Sequence, residues 1–170
     1  MRVPHPIREI LEAPKTLLRA PVWIPDGVYQ RIVAPLAIDG VALEGLQIRG
    51  WYRPQRPERD VMLQLELQPS AGKQCPIERI DWRPSHKHSN NRERGGIPLG
   101  QFSGSHVHEF ELNYFENESR MLSGNLRYAR PLVPDVNDFQ NLLAFAESRF
   151  RVNGLGDKWP KPEWERTLFD

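Results

Sequence analysis

Four of the five histidines in this 170-residue chain fall between positions 86 and 108, as His86-Lys87-His88 and His106-Val107-His108. Imidazole titrates closest to neutral pH and is the commonest metal ligand, so the clustering suits proton transfer or metal binding. On a β-strand, positions i and i+2 share a face. A strand from His106 to Tyr114 carries His106 and His108 on one face with Phe110, Leu112 and Tyr114, and Glu109, Glu111 and Asn113 on the other. This parity predicts that both histidines enter from the core side, at the wall of a pocket.

The segment between the pairs, 83–105, has no apolar periodicity and sets Arg83, Lys87, Arg92 and Arg94 against Glu93 alone. Loops of this length in a compact domain are usually functional or disordered. Asn90-Asn91 and Gly95-Gly96 leave backbone open to a ligand. Guanidinium groups supply charge and bidentate geometry for phosphate, and an amide supplies orientation. The expected site is a phosphate-handling pocket that cleaves RNA or a nucleotide without a metal or other cofactor. His106 and His108 are its acid–base pair and His88 assists. Arg83, Arg92 and Arg94 hold the phosphate while Asn90 orients it.

Three other readings stay open. Two His-x-His pairs offer up to four imidazoles to a metal. A cupin-like pattern fits only in part: Gly100 stands six residues before His106, but Leu112 occupies the expected Glu position and no histidine follows His108. In a second alternative the protein is a non-catalytic interaction module, antitoxin-like or an adaptor, with a protein partner met by the N-terminal arm and by Trp159 and Trp164. In the plainest one the histidines only tie the loop to the sheet. Asp81, beside Arg79 and Arg83, reads as a strand-end ion pair. Trp51 and Tyr52 read as core or rim residues, with base stacking as their functional alternative. The run Glu109, Glu111, Glu116 and Glu118 reads as a solvated face. No GxGxxG, Walker, GxSxG or HExxH pattern occurs.

The positioning elements follow from pattern. Arg31 to Ile38 and Val41 to Trp51 flank Asp39-Gly40, a type I′ hairpin signal, and a parity change at Gly45 predicts a bulge. Val61, Leu63, Leu65 and Leu67 alternate with Met62, Gln64, Glu66 and Gln68, which predicts a half-buried strand. Ile77 to Trp82 places Ile80 and Trp82 on one face and Arg79 and Asp81 on the other. Phe139, Leu142, Leu143, Ala146 and Phe150 trace one stripe of a helix over 136–150, with Asp135 as N-cap, Asp138 at N3 and Asn153-Gly154 closing it. Upstream, Ile7, Ile10 and Leu11 predict a short amphipathic turn stopped by Pro14. The fold class is a single α+β domain over 1–170. A proline-rich arm (1–30) precedes an antiparallel sheet (31–132) holding the basic loop, then one main helix (136–150) and a packed Trp/Pro tail (151–170).

Several stretches together resemble a family of small uncharacterised bacterial proteins. They are Arg79-Ile80-Asp81-Trp82-Arg83-Pro84, His88 and Asn90, Gly104-Ser105-His106-Val107-His108-Glu109-Phe110-Glu111-Leu112-Asn113, Gly124-Asn125-Leu126 to Pro131-Leu132, and the helix to Phe150. The resemblance runs from about 22 to 164. It implies a bacterial, cytosolic, single-domain protein with its signature at the loop and strand above, of a kind often found as accessory genes in mobile elements, toxin pairs or phage defence. It brings no activity.

Composition narrows the rest. A net charge of +1 does not announce a nucleic-acid binder by bulk electrostatics. Sixteen prolines and a mean hydropathy of −0.60 describe a loop-rich chain. The longest apolar run, 32–38, is far short of the ~20 residues of a membrane span. Cys75 is the sole cysteine, so a disulfide framework and CxxC chemistry are excluded. A reduced, cytoplasmic compartment is expected.

Overall fold

The computed structural model describes residues 7–68, 74–115, 120–121 and 126–165. The first helix is α1 (Ile7–Glu12), followed by the strands β1 (Lys15–Leu17), β2 (Ile24–Asp26), β3 (Tyr29–Ile38), β4 (Val41–Tyr52), β5 (Val61–Leu67) and β6 (Cys75–Trp82). The middle holds β7 (His88–Asn90), β8 (Gly100–Phe102), β9 (His106–His108), α2 (Phe110–Asn113), β10 (Tyr114–Phe115) and β11 (Arg120–Met121). The chain ends through β12 (Arg130–Pro131), α3 (Phe139–Phe150), β13 (Val152–Asn153) and α4 (Leu155–Lys158). The main sheet runs β12-β9-β6-β5-β4-β3-β1-β13, with β2 also on β3, and among the described residues only β1 and β13 pair in parallel. The α+β class is therefore as the sequence predicts.

Asp39 and Gly40 both take positive φ, 52° and 75°, as a type I′ turn demands. Pairing of β3 with β4 shifts between Pro35 and Ala37, opposite the stretch where Gly45 (φ 78°) stands. One sheet face carries Ile32, Ala34, Ile48, Leu63, Leu65, Ile80, Trp82 and Val107, all buried in the core. The helix α3 contributes Phe139, Leu142, Leu143, Ala146 and Phe150 to the same core. Trp82, 6.5 Å from Phe139 between ring centroids, joins sheet to helix and donates from Nε1 to the Val136 carbonyl. The tail packs as expected: Trp159 is buried and Trp164 stands edge-on to Tyr52.

Four expectations change. All of β5 is buried, because Gln64 and Glu66 on its polar face are sealed in a network with Gln47, Arg49 and Gln74. The helix begins at Phe139 with Asp138 as N-cap, its carboxylate accepting from the Asn141 N–H, and Arg151 rather than Asn153-Gly154 closes it. Asp135 instead takes the Val136 N–H and Arg83. The arm is not a separate wrapping, since β1 and β2 are strands of the main sheet. Finally, the loop 83–105 contains its own hairpin, β7–β8. Residues 1–6, Glu116 and Glu118 lie outside the described residues; Glu109 and Glu111 pair with arginines 130 and 8.

Lys15 shows how the arm is tied down. It is fully buried and donates from Nζ to the Leu11 and Ala13 carbonyls at 2.9 and 2.7 Å, satisfying the end of α1. Burial, and then the Arg151 charge, lower its pKa to about 8 from 10.5, against an opposing pull from Glu78. Between those values the unfolded chain binds more protons than the native one, so this group makes stability rise with pH. We expect the wild-type urea midpoint to climb from about pH 8 to 10 relative to Lys15→Met. Parallel pH profiles for the two would refute this.

Candidate metal centre on the polar face of the sheet

Registered pairing places His108 beside Arg79 and His106 beside Asp81, with Val107 beside Ile80. Ile80 belongs to the core face, so His106 and His108 lie on the opposite, polar face. This corrects the core-side placement expected from sequence. The physical reason is that the strand is only three residues long. Phe110 and Leu112, which suggested the parity, sit on the short helix α2, where a two-residue alternation no longer applies. His106 and His108 are nonetheless almost wholly buried, at 1% and 0% exposure, because the β7–β8 hairpin folds over them.

The hairpin delivers His88. Ring centroids of His88, His106 and His108 stand 4.9–5.1 Å apart, and Phe102 packs on both His88 and His106. One ring nitrogen from each histidine lies within 4.8 Å of the other two. His86 is exposed and takes no part in this cluster.

Each ring is held from one side. His106 Nδ1 lies 2.9 Å from the Gly104 carbonyl, which can only accept, so the proton sits on Nδ1 and Nε2 offers a lone pair. Gly104 takes φ 93°, a conformation open to glycine, to turn the chain there. Asn90 is fully buried and donates to the Pro98 and Ala129 carbonyls while its Oδ1 accepts the Ala129 N–H. The same Oδ1, 3.1 Å from His88 Nε2, makes that nitrogen the donor and leaves Nδ1 with its lone pair.

His108 Nε2 is 3.1 Å from Asp81 Oδ2 and 2.6 Å from Arg79 Nη2. In either arrangement its Nδ1 is buried without a partner. His106 Nε2 is 3.2 Å from Asp81 Oδ2 but off the angle of a hydrogen bond, and it too is buried and unpartnered. Two such nitrogens in one cluster are unusual, since an unmet buried polar group costs roughly 1–3 kcal/mol.

Charge follows from these contacts. Burial pushes the Asp81 carboxyl up, but the His108 contact and the Arg79 charge outweigh it and hold it well below the usual carboxylate range. Burial lowers His108 to about 4, so its ring is neutral near pH 7. Burial, then neighbouring His106, lowers His88 as well. Cys75 is pushed up by burial, the reverse of an activated thiol.

The other named residues are used elsewhere. Arg83 bonds Asp135 and the Val136 and Asn137 carbonyls and lies over the Trp82 ring. Arg94 donates to the Tyr114 carbonyl and covers Phe115 and Tyr128, and Arg92 is exposed. Asn90 meets His88 but acts as a clamp for the loop. The cation at the cluster is Arg79, and its carboxylate is Asp81, which by sequence reads as a strand-end ion pair. The signal was present in the parity of β6, which separates Arg79 and Asp81 from Ile80 and Trp82.

No helix among the described residues is long and apolar enough to cross a membrane. No protein-family model matches this chain, and the comparisons with curated proteins and with solved structures gave no match.

Proposed function

We propose that the protein is a metal-binding protein whose centre is His88, His106 and His108, taking a borderline-soft divalent cation of the zinc kind. The observation that carries this reading is a cluster of three imidazoles, one ring nitrogen of each within 4.8 Å of the others, in which His106 Nε2 and His108 Nδ1 are buried without partners. Metal-bound histidines characteristically donate their second N–H to a carbonyl or carboxylate. Gly104, Asn90 and Asp81 are such acceptors. An inward movement of about 1 Å or less brings the three nitrogens to the ~2.0–2.1 Å of a zinc–imidazole bond. Three protein ligands leave a position for water or a ligand atom, as hydrolytic zinc sites do.

The metal-independent acid–base pair is the weaker reading of the same residues. A general acid near pH 7 needs a pKa near 7, and the His108 value of about 4 leaves that ring unprotonated.

Purified without an affinity tag, stripped with EDTA and dialysed against zinc, the chain is expected to retain one metal per chain by elemental analysis. His88→Ala and His106→Ala should each lose it. Retention below a tenth of an equivalent, or equal retention by wild type and variants, overturns the proposal.

A further inference from the structure

The polar face does not end at the histidines. Cross-strand register continues His108–Arg79 through Gln64 and Arg49 to Val33, and His106–Asp81 through Met62 and Trp51 to Arg31. Arg79, Gln64 and Arg49 of the first row and Met62, Trp51 and Arg31 of the second line a groove of about 420 Å³, which also meets Tyr29 and Asp26. That volume lies within the ~300–1,000 Å³ range of small-ligand sites.

The arginines keep donors to spare. A guanidinium has five N–H donors in a planar fork. Arg79 uses Nε on Asp81 and turns Nη2 to His108. Arg49 lines the groove and is tied by Nη2 to buried Glu66 at 3.0 Å, while its Nε is buried without a partner and out of a ligand's reach. Among the described residues Arg31 makes a 3.7 Å ion pair with Asp26 at the rim, and about half of its side chain is exposed. Glu66 and Asp81 are buried and do not line the groove, so Asp26 is the carboxylate that lines it.

Trp51 stands beside these donors. It is half-buried, lines the groove and meets Tyr29 at 4.9 Å between centroids and 64° between planes, so Tyr29 is not stacked parallel on the indole. Arg49 and Trp51 are two positions apart on one strand and share this face, which separates them by about 7 Å. A planar ring stacked on Trp51 thus places an attached anion among Arg49, Arg79 and Arg31. Bidentate arginine suits phosphate, and base–indole stacking tolerates any base.

We propose that this groove binds a nucleotide, with its base on Trp51 and its phosphate held by Arg31, Arg49 and Arg79. The shared chemistry admits a free nucleotide or one residue of a single-stranded RNA. The site stands on its own side chains, so its test runs both with zinc and with EDTA and can fail separately from the metal centre.

Calorimetric titration of the full chain would use AMP, inorganic phosphate, adenosine and an adenine pentaribonucleotide. AMP is expected to bind at least tenfold more tightly than phosphate or adenosine alone, with or without zinc. Trp51→Leu and Arg31→Ala, both at exposed or half-exposed positions, should each weaken AMP about tenfold while melting as wild type does. A pentanucleotide binding more tightly than AMP, with stronger salt dependence, identifies the polymer as the source, whereas equal binding identifies the free nucleotide. AMP no tighter than phosphate, wild-type affinity in both variants, or no binding to any probe overturns the proposal, whatever the zinc stoichiometry.

Discussion

Zinc is expected to raise the unfolding midpoint of the EDTA-stripped chain by about 5–10 °C. A ligand that binds only the native state, at a hundred times its dissociation constant, stabilises by about 2.7 kcal/mol. A domain of this length moves by roughly 2–4 °C per kcal/mol. Part of the gain comes from coordinating nitrogens that the apo fold buries without partners, His106 Nε2 and His108 Nδ1. Magnesium at the same concentration should give no shift, because it prefers oxygen ligands and sheds its water reluctantly. His88→Ala should remove the zinc effect. Thermal melts followed by circular dichroism decide the matter, and a flat response to zinc in the wild type would sink the metal reading.

The elements that position this centre were legible to different depths. The hairpin at Asp39-Gly40 and the helix stripe from Phe139 to Phe150 are local patterns, and both appear where local physics puts them. The histidine cluster was legible as a set of residues but not as a place. His106-Val107-His108 is too short to reveal its own parity, and reading onward into Phe110–Asn113 crossed into a helix. What fixes the face is the pairing of β9 with β6, a non-local contact with no local signature in either segment. The same pairing makes Asp81, by sequence a strand-end ion pair, the buried carboxylate of the site. The arginines of the loop were overvalued for a related reason. Their charge was visible in the sequence, but Arg83 and Arg94 spend their donors holding loop backbone, as Asn90 does. Charge in a loop reports what it can attract; only packing shows what it already has.

Asp81→Ala is expected to cost about 3 kcal/mol of stability in the metal-free chain. Removing one partner of a buried pair typically costs ~3–5 kcal/mol because the other charge is stranded. The low end applies here, since 20% of the Arg79 side chain remains in contact with water. Replacing both, as Arg79→Met with Asp81→Leu, should cost less than Asp81→Ala alone, because no ion is left unpaired. Urea denaturation of Asp81→Ala and of the double variant, each against the wild type, measures the difference. A loss under about 1 kcal/mol for Asp81→Ala would show that the carboxylate is not the electrostatic keystone of the site. Zinc binding separates this role from ligation. Loss of a group that orients a ligand weakens metal binding by about 10–100-fold without changing the stoichiometry. Asp81→Ala should therefore still bind one zinc, more weakly, whereas His106→Ala should lose the site. If Asp81→Ala instead abolishes binding outright, the carboxylate is itself a ligand, and the centre is three imidazoles and one oxygen.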